Sequence, residues 1–414
     1  MEAGDQRADI HVLIIGAGIQ AVLMERKGIS GLLLAQGLKK HEIPFSIFES
    51  EDSAKFHRAR EWGMSIQWAL PMLADLLPNH LLERLQSDAS VDPHYVFPET
   101  GNTMPIYNAE TGELMKSIPL VKMLRVSRRR LRRLCAEGIE VQYGKRFRSM
   151  TTSEDDGKIT VHFSDDSQTS GTLVVGADGA NSAVRNAAFF DTDKGKAVTA
   201  GYAGANMHVC YGDASIARLL REHLSPILGI AMHPRGHWLW FSIQDVPDPE
   251  KPEGWVFQLQ WTFKLGPETA GLSELNLENL KADASKYFAE PWRSAWEKIP
   301  PGTRVPNNRL SIWQPAPIPS EAWGGRVALV GDAAHAMSFH RGQGMNHGIA
   351  DAVELTKILS AGGRGKEAVL QHEAEMIKRA GEEVAISKSN TEMVHDWDRL
   401  MQSPLMQRGG DKNR

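Results

Sequence analysis

Cysteine is nearly missing from this chain. Two thiols, Cys135 and Cys210, stand among 414 residues. That is too few for a framework of disulfides, and neither sits at a metal-ligand spacing. A reducing, cytoplasmic setting is therefore expected. No stretch of 18 apolar residues occurs, so no membrane span is expected. The opening MEAGDQRADI is polar and acidic, unlike a secretory leader. Charge of one sign is lacking too. The formal net charge of −4 gives no long-range pull toward nucleic acid or an anionic membrane. Internal repeats and low-complexity tracts are absent. What remains is a globular chain with 42% hydrophobic residues, enough for a large core in two or three lobes.

The order of elements suggests a fold class. IHVLIIG (10–16) is a short apolar run ending in glycine, which reads as a buried parallel strand. A helical region follows, and PFSIFES (44–50) reads as a second buried strand, giving a β-α-β opening. Residues 103–119 read as two strands around a Thr-Gly turn. VSRRRLRRLCAEG reads as a helix ending at Gly138. EVQYG, KITVHFSDD and SGTLVVGADG read as strands. Residues 200–265 alternate apolar and polar positions, which predicts a half-exposed antiparallel sheet. RVALVGDAAHAM returns to the buried-strand pattern, and helices fill the chain from 345 to 400. We expect an α/β architecture: a Rossmann-like domain with a parallel sheet, an inserted, mainly antiparallel β lobe, and C-terminal helices. The expected boundaries are 8–90, 120–190 and 305–362 for the first domain, and 91–119 with 191–304 for the inserted lobe. Helices at 363–402 and a disordered tail at 403–414 complete the chain.

Three motifs carry chemistry. Gly16-Ala17-Gly18 follows the first strand, as in a turn that brings backbone close to a pyrophosphate at a helix N-terminus. Glu49, at the end of the second strand, is the candidate for ribose hydroxyls. It lies 33 residues beyond Gly16, too far for the usual spacing. Removing the ten residues Gln20–Ile29 restores both the spacing and the string GAGISG, with Gly31 as third glycine. That segment therefore reads as an insertion. A rival reading keeps Gly16-x-Gly18-x-x-Ala21 as the motif, with a helix starting at Ile19. Next, VVGADGANSAVR (174–185) places Asp178, Gly179, Ser182 and Arg185 at a strand-to-helix turn. An acceptor, a small donor and a cation there suit ribose or phosphate, and Asn181 or Ser182 equally suits a helix cap. Last, VALVGDAAHAMSFHRGQGMNHG (327–348) ends a strand in Gly331-Asp332 and leads through a glycine-bearing loop into a helix. The amides of Gly342 to Asn346 would face a partial negative charge there. His335 and His340 lack a third ligand in register, so no metal site is expected.

Taken in order, these motifs resemble the FAD-dependent, single-component aromatic monooxygenases related to p-hydroxybenzoate hydroxylase. REWGMSIQWALPML and NTEMVHDW are similar to fungal members linked to secondary metabolism. The resemblance covers roughly residues 10–400. It implies that Gly16, Gly18, Gly31 and Glu49 bind the ADP half of FAD. Gly63 would pass the cofactor in a second loop, and Arg128 would open the Arg-x-x-Leu helix that contacts FAD. Asp178 and Gly179 would serve FAD and NAD(P)H, Asp332 the ribityl chain, and Gly342, Gly344, Met345 and Asn346 the flavin ring. The implied reaction uses NADPH or NADH and O₂ through a flavin C4a-hydroperoxide to hydroxylate or epoxidise an aromatic or polyketide- or terpenoid-like molecule. Another FAD-dependent oxidoreductase, or a form inactivated by the insertion, stays open. Where the family often has proline after GDAAH, this chain has Ala336, Ser338 and Phe339. No substrate residue carries over. The six arginines of RVSRRRLRR read as a solvated face with one cofactor arginine. Trp238 and Trp240 read as a strand with one wet face.

Overall fold

The computed structural model describes residues 10–17, 29–52, 61–153, 157–223, 227–266, 275–363 and 365–407. The short apolar runs form a five-stranded parallel sheet in the order Val327–Leu329, Leu173–Gly176, Val12–Ile15, Phe45–Phe48 and Val141–Gln142. A parallel sheet must be covered on both faces, and Val12, Leu13 and Ile14 are fully buried. Helices Ser30–Lys40 and Gly344–Ser360 cover one face. A three-stranded antiparallel sheet, Phe147–Thr152, Ile159–Phe163 and Gln168–Gly171, packs near the other. The strand Phe147–Thr152 escapes sequence reading because Arg148, Ser149 and Thr151 break any apolar run.

The second lobe is a seven-stranded sheet. Its order is Asn307–Ile312, Val198–Cys210, Val256–Lys264, His237–Asp245, Leu228–His233, Thr103–Asn108 and Leu114–Pro119. Neighbours run antiparallel except Leu228–His233 beside Thr103–Asn108. Alternation along the three central strands sorts the side chains. Met207, Leu259 and Phe241 form one cross-strand row, and Ala205, Trp261 and Leu239 another. These rows pack against helices Leu277–Tyr287 and Trp292–Glu297.

Three expectations are corrected. The large sheet is not half-exposed: Leu228–His233 is buried throughout, and Val256–Lys264 almost so. Its polar face looks into the molecule, not into solvent. The strand Asn307–Ile312 pairs with Val198–Cys210, so the chain leaves this lobe after 312 and not at 305. The tail expected to be disordered from 403 begins with a helical turn, Pro404–Gln407, whose Leu405 and Met406 pack beside Trp238 and Ile106. Residues 408–414 lie outside the described residues. The 30-residue helix Gly365–Val394 binds the lobes together. His372 Nε2 meets the Leu329 carbonyl at 3.0 Å in the parallel sheet, and His395, just past its end, meets Thr262 Oγ1 at 2.9 Å in the large sheet.

Candidate functional site

The first motif forms a tight backbone cradle. Gly16 follows the strand Val12–Ile15 at φ +112°, where a side chain is strained, and a Cβ there would come within 2.6 Å of the Ala177 carbonyl oxygen. The following helix begins at Ser30, with Ile29 as cap. A Cβ on Gly31 would overlap the Gly16 carbonyl oxygen. Gly31 thus makes the close helix-to-strand approach of a third glycine in such a fingerprint. Gly18 and the segment 18–28, with the Ala21 alternative, lie outside the described residues. Glu49 is buried and fastens the turn. Its Oε2 accepts from the Ala17 N–H at 3.0 Å, and its Oε1 from Ser50 Oγ and the Glu51 N–H at 3.0 and 3.1 Å. Arg132 donates through Nε to the Ala17 carbonyl at 2.9 Å and pairs through Nη1 with Glu51 at 3.1 Å.

The second motif is a helix cap. Asp178 accepts from the N–H groups of Ala183 and Val184 at 2.7 and 3.2 Å, and from the Ser182 hydroxyl. Ser182 in turn caps helix Ala183–Ala188 through the Arg185 N–H. Gly179 makes the turn between them. Arg185 donates to three carbonyls, of Gly195, Ala333 and Ala180, and so ties this turn to the third motif. The Asp178 carboxylate thus does local structural work.

The third motif is held from behind. Asp351 lies fully buried on helix Gly344–Ser360. Its Oδ2 accepts from the Gly331 N–H at 2.7 Å and meets His335 Nε2 at 2.6 Å, and Arg379 Nη2 donates to Oδ1 at 2.7 Å. Burial alone would raise this carboxyl, but the His335 ring and the Arg379 guanidinium hold it below the usual carboxylate range. His335 is therefore engaged as a carboxylate partner. Asp332, Gly342, Gly344 and Met345 face a cavity of about 360 Å³. Asn346 does not. Its Oδ1 accepts from the Gln67 N–H at 2.8 Å, and its Nδ2 donates to the Ser65 carbonyl at 3.1 Å. It clamps the helix to strand Gly63–Ile66.

The cavity lies between these loops and the inward face of the large sheet. That face is built from the rows alternate to the oily ones: His208, Gln258 and Ser242, then Asn206, Gln260 and Trp240, then Gly204, Thr262 and Trp238. Met104, Met123, Leu228 and Ile230 extend it with apolar surface. Gln258 Oε1 accepts from the Gly63 N–H at 3.0 Å and from Arg125 Nη2 at 2.8 Å, joining sheet to second loop. Arg128 lines the same cavity with its guanidinium 4.7 Å over the Trp62 ring, and burial pushes it down to about 10, still charged at neutral pH. Burial raises the Glu61 carboxyl beside it, against the Arg129 and Trp62 N–H groups that hold it down.

On the cavity's other wall is a hydrogen-bonded chain. His395 Nδ1 meets the Thr391 carbonyl at 2.7 Å, so that nitrogen carries the proton and Nε2 accepts from Thr262 Oγ1. Thr262 Oγ1 also lies 3.0 Å from His340 Nε2, and His340 Nδ1 lies 2.9 Å from Thr391 Oγ1. His340 faces the cavity, 4.6 Å edge-on to Trp238.

Ile29 and Ser30 beside the first motif, Ala180 in the second and Asp332 in the third all line the one cavity. Sequence reading missed Arg125, Arg132, Gln258 and Asp351. Arg132 carried a signal, since it stands four residues after Arg128 on one helical face. The arginine run is not a solvated face with one buried member: Arg125, Arg128 and Arg132 are all buried.

With the geometry in place, comparison with known proteins is informative. An FAD binding domain family matches residues 107–384. An FAD-dependent monooxygenase of Penicillium herquei, phnB, is 38% identical over 96% of this chain and 94% of its own. One of Talaromyces islandicus, cctM, is 34% identical over 95% and 98%. The solved structure of Klebsiella pneumoniae HpxO with FAD and uric acid superposes with a TM-score of 0.73, covering 96% of this chain and 92% of that one at 23% identity, a likeness of fold.

Proposed function

From the premise that this chain belongs to the family of FAD-dependent monooxygenases carrying this FAD binding domain, we propose that it uses NADPH or NADH and O₂ to hydroxylate or epoxidise an aromatic, polyketide-like small molecule. One observation carries this reading. A single cavity has a glycine-bearing loop with Asp332, Gly342, Gly344 and Met345 on one side, and a row of tryptophans and amides on the other. A planar cofactor and a planar substrate would fit between such walls. The backbone cradle suits the ADP half of FAD, because a Cβ at Gly16 or Gly31 would fill the space the turn needs.

In this reading Glu49 holds the ADP half, Arg128 contacts the FAD, Asp332 holds the ribityl chain, and the Gly342–Met345 amides face the ring. Bound FAD supplies oxygen activation. The protein contributes exclusion of water, through Trp238, Trp240 and Phe339, and a fixed substrate pose. Thr391 and Thr262, within hydrogen-bond reach of its two ring nitrogens, fix the orientation of the His340 ring at the cavity wall. The test is purification with a flavin absorbance spectrum, NADPH against NADH oxidation with aromatic polyketides, and product labelling from ¹⁸O₂. Flavin without substrate-stimulated oxidation, or product without label, overturns the reading.

A further inference from the structure

The last described turns of the chain lie over one end of the cavity wall. Helix Gly365–Val394 stops at His395, whose Nε2 is held by Thr262 in the large sheet. Asp396 then caps a new helical turn, Trp397–Met401, by accepting from the Arg399 N–H at 3.1 Å. Apolar residues in WDRLMQSPLMQ are spaced so that Trp397, Leu400, Leu405 and Met406 turn inward, while Asp398, Arg399, Met401 and Gln402 stay exposed. The far end is fastened too: Lys116 Nζ, on the edge strand Leu114–Pro119, donates to the Met406 carbonyl at 3.0 Å. Residues 395–407 therefore form a strap anchored at both ends.

Beneath the strap is the cavity wall itself. Trp397, Leu400, Leu405 and Met406 share one apolar cluster with Met104, Ile230, Trp238, Trp240 and Phe339. Those last five also line the cavity. The wall here has two layers. The inner one, of rings and aliphatic side chains, is what a ligand meets, and the strap supplies the outer one. The inner rings brace one another: Trp238 stacks with Trp240 at 5.9 Å and meets Phe339 edge-on at 5.9 Å. In a close-packed interior the position of such rings is set by what stands behind them. Ala17 and Ile29, beside the glycine cradle, belong to a different cluster, so the strap bears on the end of the cavity away from that cradle.

Resting on the monooxygenase reading, which puts the substrate between the large sheet and the glycine-bearing loop, we propose that the strap sets the size of substrate the protein admits. Trp397, Leu405 and Met406 are specificity-determining residues that stand outside the cavity lining. They act through Trp238, Trp240 and Met104. A smaller side chain in the outer layer leaves room into which the inner layer shifts, and methionine in particular repacks readily. A larger planar ring system then fits under the same sheet.

The test uses the FAD-loaded protein and two uncharged planar probes, 2-naphthol and the larger 1-pyrenol, titrated by the change in probe fluorescence. We expect L405A/M406A to shift the affinity ratio of the two probes at least tenfold toward 1-pyrenol, with naphthol affinity and FAD content unchanged. W397A, at the other end of the strap, shifts the ratio in the same direction. M401A, whose side chain is exposed on the outside of the strap, leaves it alone. A ratio that stays within twofold of the parent's in both strap variants overturns the proposal. So does binding of neither probe, or joint loss of both probes and FAD, which would make the strap a stability element only. Failure of the monooxygenase reading would show differently, as a chain that takes up no flavin yet shifts its probe ratio in the strap variants.

Discussion

Replacing Gly31 with alanine separates two effects of opposite sign. Gly31 stands in the first turn of helix Ser30–Lys40, and alanine is the better helix former by up to about 1 kcal/mol. On propensity alone G31A would stabilise the protein. The close approach argues otherwise. Real Cβ atoms essentially never come within 3.0 Å of another heavy atom, and the added Cβ would lie far inside that limit from the Gly16 carbonyl oxygen, with Ala177 Cβ at 3.1 Å behind it. Neither obstacle is the far end of a flexible side chain. The helix start or the strand end must move by roughly an ångström. Overpacking of this kind costs about 1–3 kcal/mol, which exceeds a propensity gain already reduced at a helix end.

The same displacement opens the cradle proposed for the ADP half of FAD. We expect G31A to lower the urea midpoint by about 1–2 kcal/mol of stability and to weaken FAD binding at least tenfold, about 1.4 kcal/mol, read by flavin fluorescence titration. G254A is the matched control, because a Cβ at Gly254 meets nothing within 4 Å. Its effect should fall within about 0.5 kcal/mol, with FAD binding unchanged. A G31A protein that is as stable as the parent and binds FAD equally refutes the argument. Gly31 would then not be the third glycine of the fingerprint.

Three other outcomes follow from the same structure. Asp351→Ala strands the Gly331 N–H and leaves Arg379 without its buried partner, so we expect a loss of about 3–5 kcal/mol in urea denaturation and weakened FAD retention, with Asp351→Asn milder in both. Phe241→Ala hollows the oily face of the large sheet, where the Phe241 ring packs tilted against Phe257 with centroids 5.0 Å apart; it should cost about 3–5 kcal/mol in the same assay and leave FAD affinity unchanged. Desolvation lowers His208, His237, His347 and His395 to about 4, 3, 3 and 4. Above pH 6.5 they are neutral folded or unfolded and contribute nothing. Below it only the unfolded chain takes up their protons, so stability falls as pH falls, by about 1.4 kcal/mol per histidine at pH 5.5. Denaturant midpoints should hold from pH 8 to 7 and drop steeply between 6 and 5; a flat profile to pH 5 contradicts the burial of these rings.

What the sequence conceals follows from what alternation reports. A run such as VLII is buried on both faces and announces a parallel strand by its own composition, and the three glycine motifs sit at strand ends, where chain order alone places them. Those features were legible. WVFQLQWTF carries a different signal: at Gln258, Gln260 and Thr262 every second residue is polar, and the Trp238 and Trp240 of HWLWFSI stand beside those positions. That pattern measures contact with something polar and does not say whether the polar medium is bulk water or the interior of a binding cavity. Read as water it makes Trp238 an ornament on a wet strand. In the fold Trp238 is buried, edge-on to His340, and the polar Gln258, Gln260 and Thr262 are nearly as inaccessible as the core. The arginine run misleads for the same reason, since charge at helical spacing marks a solvated face unless a cavity or a carboxylate lies beneath it. Arg132 has Glu51 beneath it; Arg125 has neutral acceptors in the wall of the cavity. Only packing the two lobes together reveals which polar residues have been taken out of water.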